Sequence, residues 1–234
     1  MNLQNAGLTI LSLQQGLQKL KRSKVVVFGL GGVGGFAAEC LARSGVGELA
    51  LVDGDVVEAT NFNRQLLATR ATVGKFKVDV ASERFLEINT QLKIQKFKFF
   101  YGAETAHLIS LSEFDYVVDA IDDLDAKALL AFNAFKLRVC AVSAMGAGNK
   151  FDAARFEEAD LFETSVCPIA KRMRKQLKSM GVGKLRVIYS KEKPSKPVGS
   201  EGGGVGSTAF VPPVVGCMLA GVVVRQLLEG VAGV

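Results

Sequence analysis

A run of glycines directly after an apolar, strand-like segment places the strongest constraint on the fold of this chain. The segment Lys24–Phe28 contains three consecutive valines, and the sequence Gly-Leu-Gly-Gly-Val-Gly follows it where a helical pattern begins. Glycines at this spacing allow a tight turn and let phosphate groups approach the start of a helix, whose dipole favours negative charge. The sequence therefore predicts a phosphate-binding turn that contains Gly29, Gly31, Gly32 and Gly34.

Strand-like and helical segments alternate along the first 150 residues. Short apolar runs predict five strands, at residues 24–28, 48–53, 92–97, 114–120 and 138–143. Longer stretches between them predict helices, at residues 34–44, 75–88 and 126–135. This alternation is typical of an α/β fold with a doubly wound, mostly parallel, Rossmann-like sheet. We therefore expect residues 1–150 to form a nucleotide-binding core.

The pattern changes after residue 150. A short polar segment precedes a basic helix at 168–180 and a strand at 185–190. Residues 191–207 are rich in Lys, Pro and Gly, which predicts a mobile loop. An apolar helix closes the chain. We expect residues 151–234 to form a basic crossover extension that faces the substrate, within the same single domain as the core.

Composition favours a cytoplasmic protein without stable membrane insertion. The N-terminal 24 residues predict an amphipathic helix and lack the pattern of a signal peptide. Residues 202–224 carry no charge, but a Gly-rich loop and two prolines interrupt them, so a buried core helix is the preferred interpretation. The four cysteines form no CxxC pair, which argues against a zinc tetrad and suits a reducing cytosol.

The second predicted strand ends at Asp53, which is spaced to bind ribose hydroxyls. Together with the glycine turn, Asp53 predicts an adenine nucleotide without distinguishing NAD from ATP. Arg64 and Lys77 follow, and we expect both side chains to be exposed in the site. Fixed cations suit phosphoryl or nucleotidyl transfer, where charge develops on phosphate oxygens, and hydride transfer does not need them. This favours ATP, although a solvated basic face remains the alternative.

Four motifs in this order, GLGGVGG, LVDGDVVEATNFNRQ, VGKFKVD and VVDAIDD, resemble the ubiquitin-activating-enzyme-like (HesA/MoeB/ThiF) superfamily. The resemblance covers nearly the whole chain. Within the superfamily, the sequence from SAMGAGNKFD to MRKQLK and the sequence LRVIYSKEKP resemble the branch of tRNA threonylcarbamoyladenosine dehydratases. Enzymes of that branch use ATP to cyclise N6-threonylcarbamoyladenosine in tRNA with loss of one water.

The resemblance also implies roles for individual residues. It places the phosphates of ATP on the glycine turn and the ribose on Asp53. It implies catalytic roles for Arg64, Lys77 and Asp122, with Asp122 also close to Mg²⁺. It surrounds the triphosphate with four side chains, those of Asn61, Arg64, Gln65 and Lys77. It also implies Asp55 as a nucleotide-binding residue.

Two further acids in the VVDAIDD motif are harder to assign. Asp123 stands where the superfamily usually has Asn, so a second metal ligand at this position stays open. We interpret Asp119 as a strand-end acid or as the cap of the helix that begins near Asp125.

The implied partners are tRNA and a second copy of this chain, with a sulfur-transfer protein as a further possibility and no DNA. Two departures from the superfamily keep alternatives open. Gly7 occupies the position of an N-terminal Arg that reaches the neighbouring subunit's ATP, and paired CxxC zinc motifs are absent. The alternatives are adenylation of the C-terminal glycine of a ubiquitin-like sulfur carrier, a non-catalytic nucleotide-binding adaptor and, more remotely, an NAD oxidoreductase.

Two residue types invite chemical interpretations that we weigh against structural ones. Cys167 precedes Pro168 and a basic helix, a setting that favours a reactive thiolate, but a capping role is the preferred interpretation. The only histidine, His107, is expected to be an ordinary surface or boundary residue. The other three cysteines lie in apolar contexts that predict core positions, at Cys40, Cys140 and Cys217.

Positive charge is concentrated between residues 167 and 196. This segment has ten Lys or Arg residues and one Glu, a local charge of +9, whereas the whole chain carries +6. The remainder of the chain is therefore at −3. Such segregation favours contact with an RNA backbone, with a solvated helix face as the alternative. The candidate tRNA-binding residues are Lys171, Arg172, Arg174, Lys175 and Lys178.

Overall fold

The computed structural model describes residues 14–195 and 205–229. The helices within these ranges are α1 (Gln14–Arg22), α2 (Gly34–Arg43), α3 (Lys77–Ile88), α4 (Leu124–Leu137), α5 (Pro168–Ser179) and α6 (Val211–Leu228). The strands are β1 (Lys24–Phe28), β2 (Glu48–Val52), β3 (Lys93–Phe97), β4 (Tyr116–Asp119), β5 (Cys140–Ala144), β6 (Phe156–Asp160) and β7 (Arg186–Ser190). Gly7 and residues 196–204 of the predicted mobile loop lie outside the described residues.

The strands form one sheet in the order β3-β2-β1-β4-β5-β7-β6. All neighbouring pairs are parallel except β6 and β7. After β1 the chain adds β2 and β3 on one side and then β4 and β5 on the other, so the order reverses between β1 and β4. In doubly wound sheets a ligand binds at this reversal, outside the carboxyl ends of the strands. The predicted α/β class with a doubly wound, mostly parallel sheet is confirmed.

The central strands are apolar because helices cover both faces of the sheet. Residues Val25–Phe28 of β1 and all four residues of β4 are buried. Helix α6 packs mainly against α2, and a Cβ at Gly216 would collide with the carbonyl oxygen of Val33. The predicted closing apolar helix is therefore present. By length and composition α6 could also cross a membrane, but more than half of it is buried within this fold.

Strand β6 was not predicted, because its sequence, Phe-Glu-Glu-Ala-Asp, is mostly polar. Tertiary pairing explains it. β6 lies at the sheet edge against β7, where Arg186 forms an ion pair with Glu158 and the Tyr189 hydroxyl donates to Glu157 at 2.6 Å. Smaller differences concern helix ends: α3 begins two residues later than predicted, and α4 is extended at both ends.

The predicted core positions of the cysteines are wrong for two of them. Cys140 and Cys217 are exposed, and Cys40 is half-buried. The Sγ atoms of Cys40 and Cys217 lie 3.6 Å apart, across the contact between α2 and α6. Burial and the neighbouring Cys217 raise the pKa of the Cys40 thiol to about 12, so it is protonated at neutral pH.

Candidate active site

A cavity of about 1320 Å³ lies at the carboxyl ends of β1, β2, β4 and β5. Its wall includes the glycine turn after β1, the end of β2 and the turn between β4 and α4. It also includes the last residue of β5, the segment 145–150 that follows it and the first residues of α5. The parallel strands thus bring together segments that are far apart in sequence. The cavity occupies the place where a doubly wound sheet binds its ligand.

The glycine turn has a geometry that side chains would prevent. Gly29 adopts φ = +83°, and a Cβ there would lie 2.7 Å from the carbonyl oxygen of Ala120. A Cβ at Gly34, the first residue of α2, would collide with the carbonyl oxygen of Gly29. Gly31 and Gly32 line the cavity just before α2. Because the first N–H groups of a helix lack intrahelical acceptors, this turn can bind a phosphate.

Asp53 connects the end of β2 to the glycine turn. Its Oδ2 accepts a hydrogen bond from the Leu30 N–H at 2.6 Å, and its Oδ1 accepts one from the Asp55 N–H at 2.8 Å. Burial raises the pKa of Asp53, against the opposing effects of Lys77 and these two N–H groups. Each carboxylate oxygen has a second lone pair, so Asp53 can still accept a hydrogen bond from a ribose hydroxyl.

Lys77 is buried, contrary to the expectation that it is exposed. Its side chain is only 6% exposed, and Nζ lies 2.7 Å from Asp55 Oδ2 in an ion pair. The Lys77 N–H also donates to the Asp55 carbonyl at 3.0 Å. Asp55 thus holds the first residue of α3 at the cavity wall. Its carboxylate also compensates the charge of the Lys77 ammonium at this position.

Arg64, Asn61 and Gln65 surround the glycine turn from the segment after β2. The carbonyl oxygen of Arg64 and its Cγ both approach Gly32, and its guanidinium donates to Asn63 Oδ1 at 2.7 Å. Asn61 is buried and accepts a hydrogen bond from the Glu58 N–H at 3.1 Å, which holds the segment in place. Gln65 lies beside Gly31, and its buried Oε1 has no partner within the described part of the chain. An unsatisfied buried oxygen at this position fits a ligand that supplies a hydrogen-bond donor.

The three acidic side chains at the turn between β4 and α4 have different environments. Asp122 is exposed and lines the cavity. Asp123 is the N-cap of α4 and accepts a hydrogen bond from the Ala126 N–H at 2.8 Å. Asp119 ends β4, as predicted, but the interpretation of Asp119 as the helix cap is wrong.

Asp119 instead belongs to a buried polar cluster that the sequence did not reveal. Its Oδ2 lies 2.8 Å from Lys127 Nζ and accepts a hydrogen bond from the Ser143 hydroxyl at 2.5 Å. All three residues are buried. The available signal was Lys127, which lies between two alanines in the first half of α4. A lysine that is buried at such a position requires a partner.

The arrangement around Asp122 fits a metal ion that is shared with phosphates. Within the described ranges, no group of three or more His, Cys, Asp or Glu residues could hold an ion without other ligands. Mg²⁺ in nucleotide sites is commonly held by one or two carboxylates together with phosphate oxygens and water. Asp122 can supply one carboxylate, whereas Asp123 is engaged as a cap.

Helix α5 begins at the cavity and carries the predicted basic residues away from it. Cys167 is its N-cap by position, but its side chain makes no capping hydrogen bond and is buried against the cavity wall. Arg174 is held by Thr164, with a distance of 2.9 Å to the Thr164 carbonyl oxygen. The four remaining basic side chains are exposed and form no ion pair within the described residues: Lys171, Arg172, Lys175 and Lys178.

His107 is exposed and does not belong to the cavity wall, in agreement with the expectation.

The ThiF family profile matches residues 4–231, which is nearly the entire sequence. The chain belongs to the ThiF family. A relative from Bacillus subtilis, a tRNA threonylcarbamoyladenosine dehydratase, is 42% identical over 233 residues, covering 93% of this ThiF-family chain and 92% of the relative. This places the chain in the dehydratase branch, as the motifs predicted.

Comparison with solved structures gives the same family branch. The tRNA N6-threonylcarbamoyladenosine dehydratase of Escherichia coli in complex with AMP matches this ThiF-family fold with a TM-score of 0.88 and 32% identity, over 95% of this chain and 92% of the other. The same enzyme in complex with ATP matches with a TM-score of 0.88 and 30% identity, over 96% and 93% of the two chains. An adenylyltransferase and sulfurtransferase of Culex quinquefasciatus is 42% identical, but only over 50% of this chain and 26% of its own length.

Proposed function

We propose that this chain catalyses the ATP-dependent dehydration of N6-threonylcarbamoyladenosine in tRNA to its cyclic form. One observation carries the proposal. The cavity that contains the glycine turn, Arg64 and Asp122 also contains the first residues of the basic helix α5. The proposed nucleotide site therefore borders the helix whose later residues form a surface suited to an RNA backbone. The family branch of the chain supports the same activity.

The reaction proceeds in two steps. A carboxylate oxygen of the threonylcarbamoyl group attacks the α-phosphate of ATP, and pyrophosphate leaves with the electron pair of the broken P–O bond. The urea nitrogen of the same group then attacks the activated carbonyl carbon and loses its proton, and AMP leaves. The tRNA thereby loses one water, while ATP becomes AMP and pyrophosphate.

The residues of the cavity supply the binding and charge compensation for the first step. We assign the phosphates to the glycine turn and to Arg64, whose guanidinium can form two parallel hydrogen bonds to phosphate oxygens. The ion pair of Lys77 with Asp55 borders the same space. We assign the ribose to Asp53. Asn61, Gln65 and Lys77 complete the proposed surroundings of the triphosphate at the cavity wall. Donors fixed before the reaction stabilise charge that develops on phosphate oxygens.

Asp122 is the proposed ligand of Mg²⁺, together with phosphate oxygens. The ion would supply additional neutralisation of the triphosphate. The exposed carboxylate of Asp122 lies on the cavity wall and is not engaged as a helix cap, unlike that of Asp123.

The exposed basic face of α5 is the proposed contact with tRNA. It consists of Lys171, Arg172, Lys175 and Lys178, whose charges are available for phosphates. Arg174 was a candidate on sequence grounds, but its bonds to Thr164 assign it to holding α5 in place. We further propose a cytoplasmic homodimer that does not bind DNA and does not insert stably into membranes. We also propose a sulfur-transfer protein as an additional partner.

Adenylation of a ubiquitin-like sulfur carrier is the second candidate function. The match to the Culex adenylyltransferase favours it over half of this chain. The full-length match to a dehydratase and the basic helix beside the cavity favour the tRNA substrate.

A mass measurement tests the proposal. The purified protein is incubated with Mg²⁺, ATP and tRNA that carries threonylcarbamoyladenosine, and the digested nucleosides are weighed. We expect an ATP-dependent product that is lighter by one water. An unchanged nucleoside with normal ATP binding would contradict the dehydratase assignment and favour the carrier or a non-catalytic adaptor.

A further inference from the structure

A second part of the cavity wall lies on the side of β4 away from β1. It is formed by the segment after β5, including Gly146 and Lys150, and by the start of α5 at Cys167. The nucleotide-binding residues described above come from the segments around β1, β2 and β4. This second part therefore contains none of the residues assigned to the nucleotide, although it lines the same cavity.

Three buried lysines line the cavity, namely Lys77, Lys127 and Lys150. Lys77 pairs with Asp55 at 2.7 Å, and Lys127 pairs with Asp119 at 2.8 Å. Lys150 is only 2% exposed, yet no ion pair to it is formed within residues 14–195 and 205–229. Lys150 is therefore the buried lysine at this cavity that has no carboxylate partner among the described residues. The ring of Phe156, whose centroid lies 5.5 Å from Nζ, compensates its charge only in part.

The hydrogen bonds around Lys150 leave donors of its ammonium unused. Its Nζ donates one hydrogen bond, to the neutral carbonyl oxygen of Glu192 at 3.1 Å. The carboxylate of Glu192 instead accepts hydrogen bonds from the N–H groups of Phe151 and Asp152, at 2.9 and 3.0 Å. A protonated lysine has three donors, so two remain for a ligand.

The surroundings of Lys150 disfavour its charged form in the absence of such a ligand. Burial lowers the pKa of the Lys150 ammonium, and Arg155 acts in the same direction, whereas Cys167 and Glu192 oppose the shift. Burying an ammonium costs free energy unless an anion compensates it. A carboxylate that enters the cavity would provide this compensation.

We propose that Lys150 binds the carboxylate of the threonylcarbamoyl group and positions it for activation. The inference rests on the proposed function, because that function supplies a substrate whose reacting group is a carboxylate. In this proposal Lys150 binds the tRNA substrate, whereas the glycine turn and Arg64 bind the phosphates of ATP.

A comparison of two ligands tests the assignment. One is an anticodon stem-loop that carries threonylcarbamoyladenosine, and the other is the same stem-loop with the carboxylate converted to a methyl ester. Binding is measured with α,β-methylene ATP present, so that no reaction occurs. We expect the wild-type protein to bind the acid about 10- to 100-fold more tightly than the ester, as for a hydrogen bond to a charged group.

The Lys150→Met variant should bind both ligands with nearly equal affinity and retain its affinity for the ATP analogue. Lys136→Met, which removes an exposed lysine of α4 outside the cavity wall, is the matched control and should keep the wild-type preference. An undiminished preference in Lys150→Met would overturn the assignment.

A measurement on the wild-type protein does not depend on how the variant folds. The preference for the acid should decrease as the pH rises. Because the pKa of Lys150 is lowered, its ammonium loses a proton in the alkaline range, and the neutral amine no longer forms an ion pair with the carboxylate. A preference that stays constant across the alkaline range in which the protein remains folded contradicts the inference. If the wild-type protein neither binds nor cyclises the acid, the proposed function itself is wrong.

Discussion

Arg64 and Lys77 differ in burial although both are cations assigned to the triphosphate. The guanidinium of Arg64 is half-exposed and bonded to its own segment, whereas Lys77 is buried and paired with Asp55. A substitution at Arg64 should therefore lower the reaction rate and leave the stability of the fold unchanged. A substitution at Lys77 should also affect the packing of α3.

We expect Arg64→Ala to lower the rate of pyrophosphate release by about 100-fold or more, because it removes a fixed donor to the reacting phosphates. Its free energy of unfolding should stay within about 0.5 kcal/mol of the wild-type value. Lys77→Met should lose activity and also lower Tm by about 2 to 4 °C, which corresponds to about 1 kcal/mol in a chain of this size. Pyrophosphate release and thermal unfolding measure the two effects.

Arg70→Ala is a suitable control for Arg64→Ala. Arg70 is exposed and lies outside the cavity wall, so its loss should leave the rate unchanged. Full activity in Arg64→Ala would remove Arg64 from the proposed site.

At the scale of helices, Glu39 of α2 connects two cations. Its carboxylate accepts hydrogen bonds from Arg84 of α3 at 2.6 Å and from Arg43 at 2.9 Å. Burial alone would raise the pKa of Glu39, but the hydrogen bonds from both arginines outweigh it and lower the pKa below 4.5. Since the folded state favours the ionised form, the stabilisation is present above the usual glutamate pKa. It is lost as the pH falls through the lowered value.

Glu39→Gln should therefore destabilise the protein at pH 7 by about 1.5 to 3 kcal/mol, the range for hydrogen bonds to charged groups. The difference from wild type should shrink as the pH falls below 4.5, because protonation then removes the same interaction. Urea unfolding between pH 7 and pH 3 measures this. The control is Glu83→Gln on α3, which is exposed and should change the stability little at any pH. A constant effect of Glu39→Gln across this range would rule out the charge as its cause.

At the scale of the whole molecule, the basic helix α5 lies next to the cavity. Helix α5 starts at the cavity wall, and its exposed cations extend from there. Neutralising Lys171, Arg172 and Lys175 to Gln should weaken tRNA binding and reduce the slope of log K against log salt by about 2 to 3, since each phosphate contact contributes about 0.7 to 0.9. Filter binding at several salt concentrations measures the slope.

A control for this triple variant removes equal charge elsewhere. Lys24, Lys93 and Lys136 are exposed residues of β1, β3 and α4. Their replacement by Gln should leave the salt dependence almost unchanged. If both triple variants reduce the slope equally, tRNA binding depends on the net charge of the protein and not on the basic face of α5.

The sequence predicted the fold and the location of the cavity because both follow from local patterns. Apolar strands that alternate with helices determine a doubly wound sheet, and the carboxyl ends of its parallel strands must meet at one edge. Gly29 and Asp53 therefore lie where their positions in the motifs indicated.

What the sequence did not predict depends on contacts between distant segments. β6 is polar and becomes a strand only through pairing with β7. Asp119 has the local features of a cap, but Lys127 of α4 and Ser143 of β5 bind its carboxylate. Lys150 is not distinguishable from a surface lysine until the segments that bury it are assembled.

The packing of α6 on α2 has a consequence for biosynthesis. Helix α2 carries the glycine turn near its start and leaves the ribosome long before α6, which covers it. Until α6 is translated, the surface of α2 that α6 covers in the complete fold has no cover from that helix. Incomplete chains with exposed apolar surface aggregate readily. The nascent chain is therefore expected to need chaperone protection over this interval, and its nucleotide pocket to mature only after α6 has emerged.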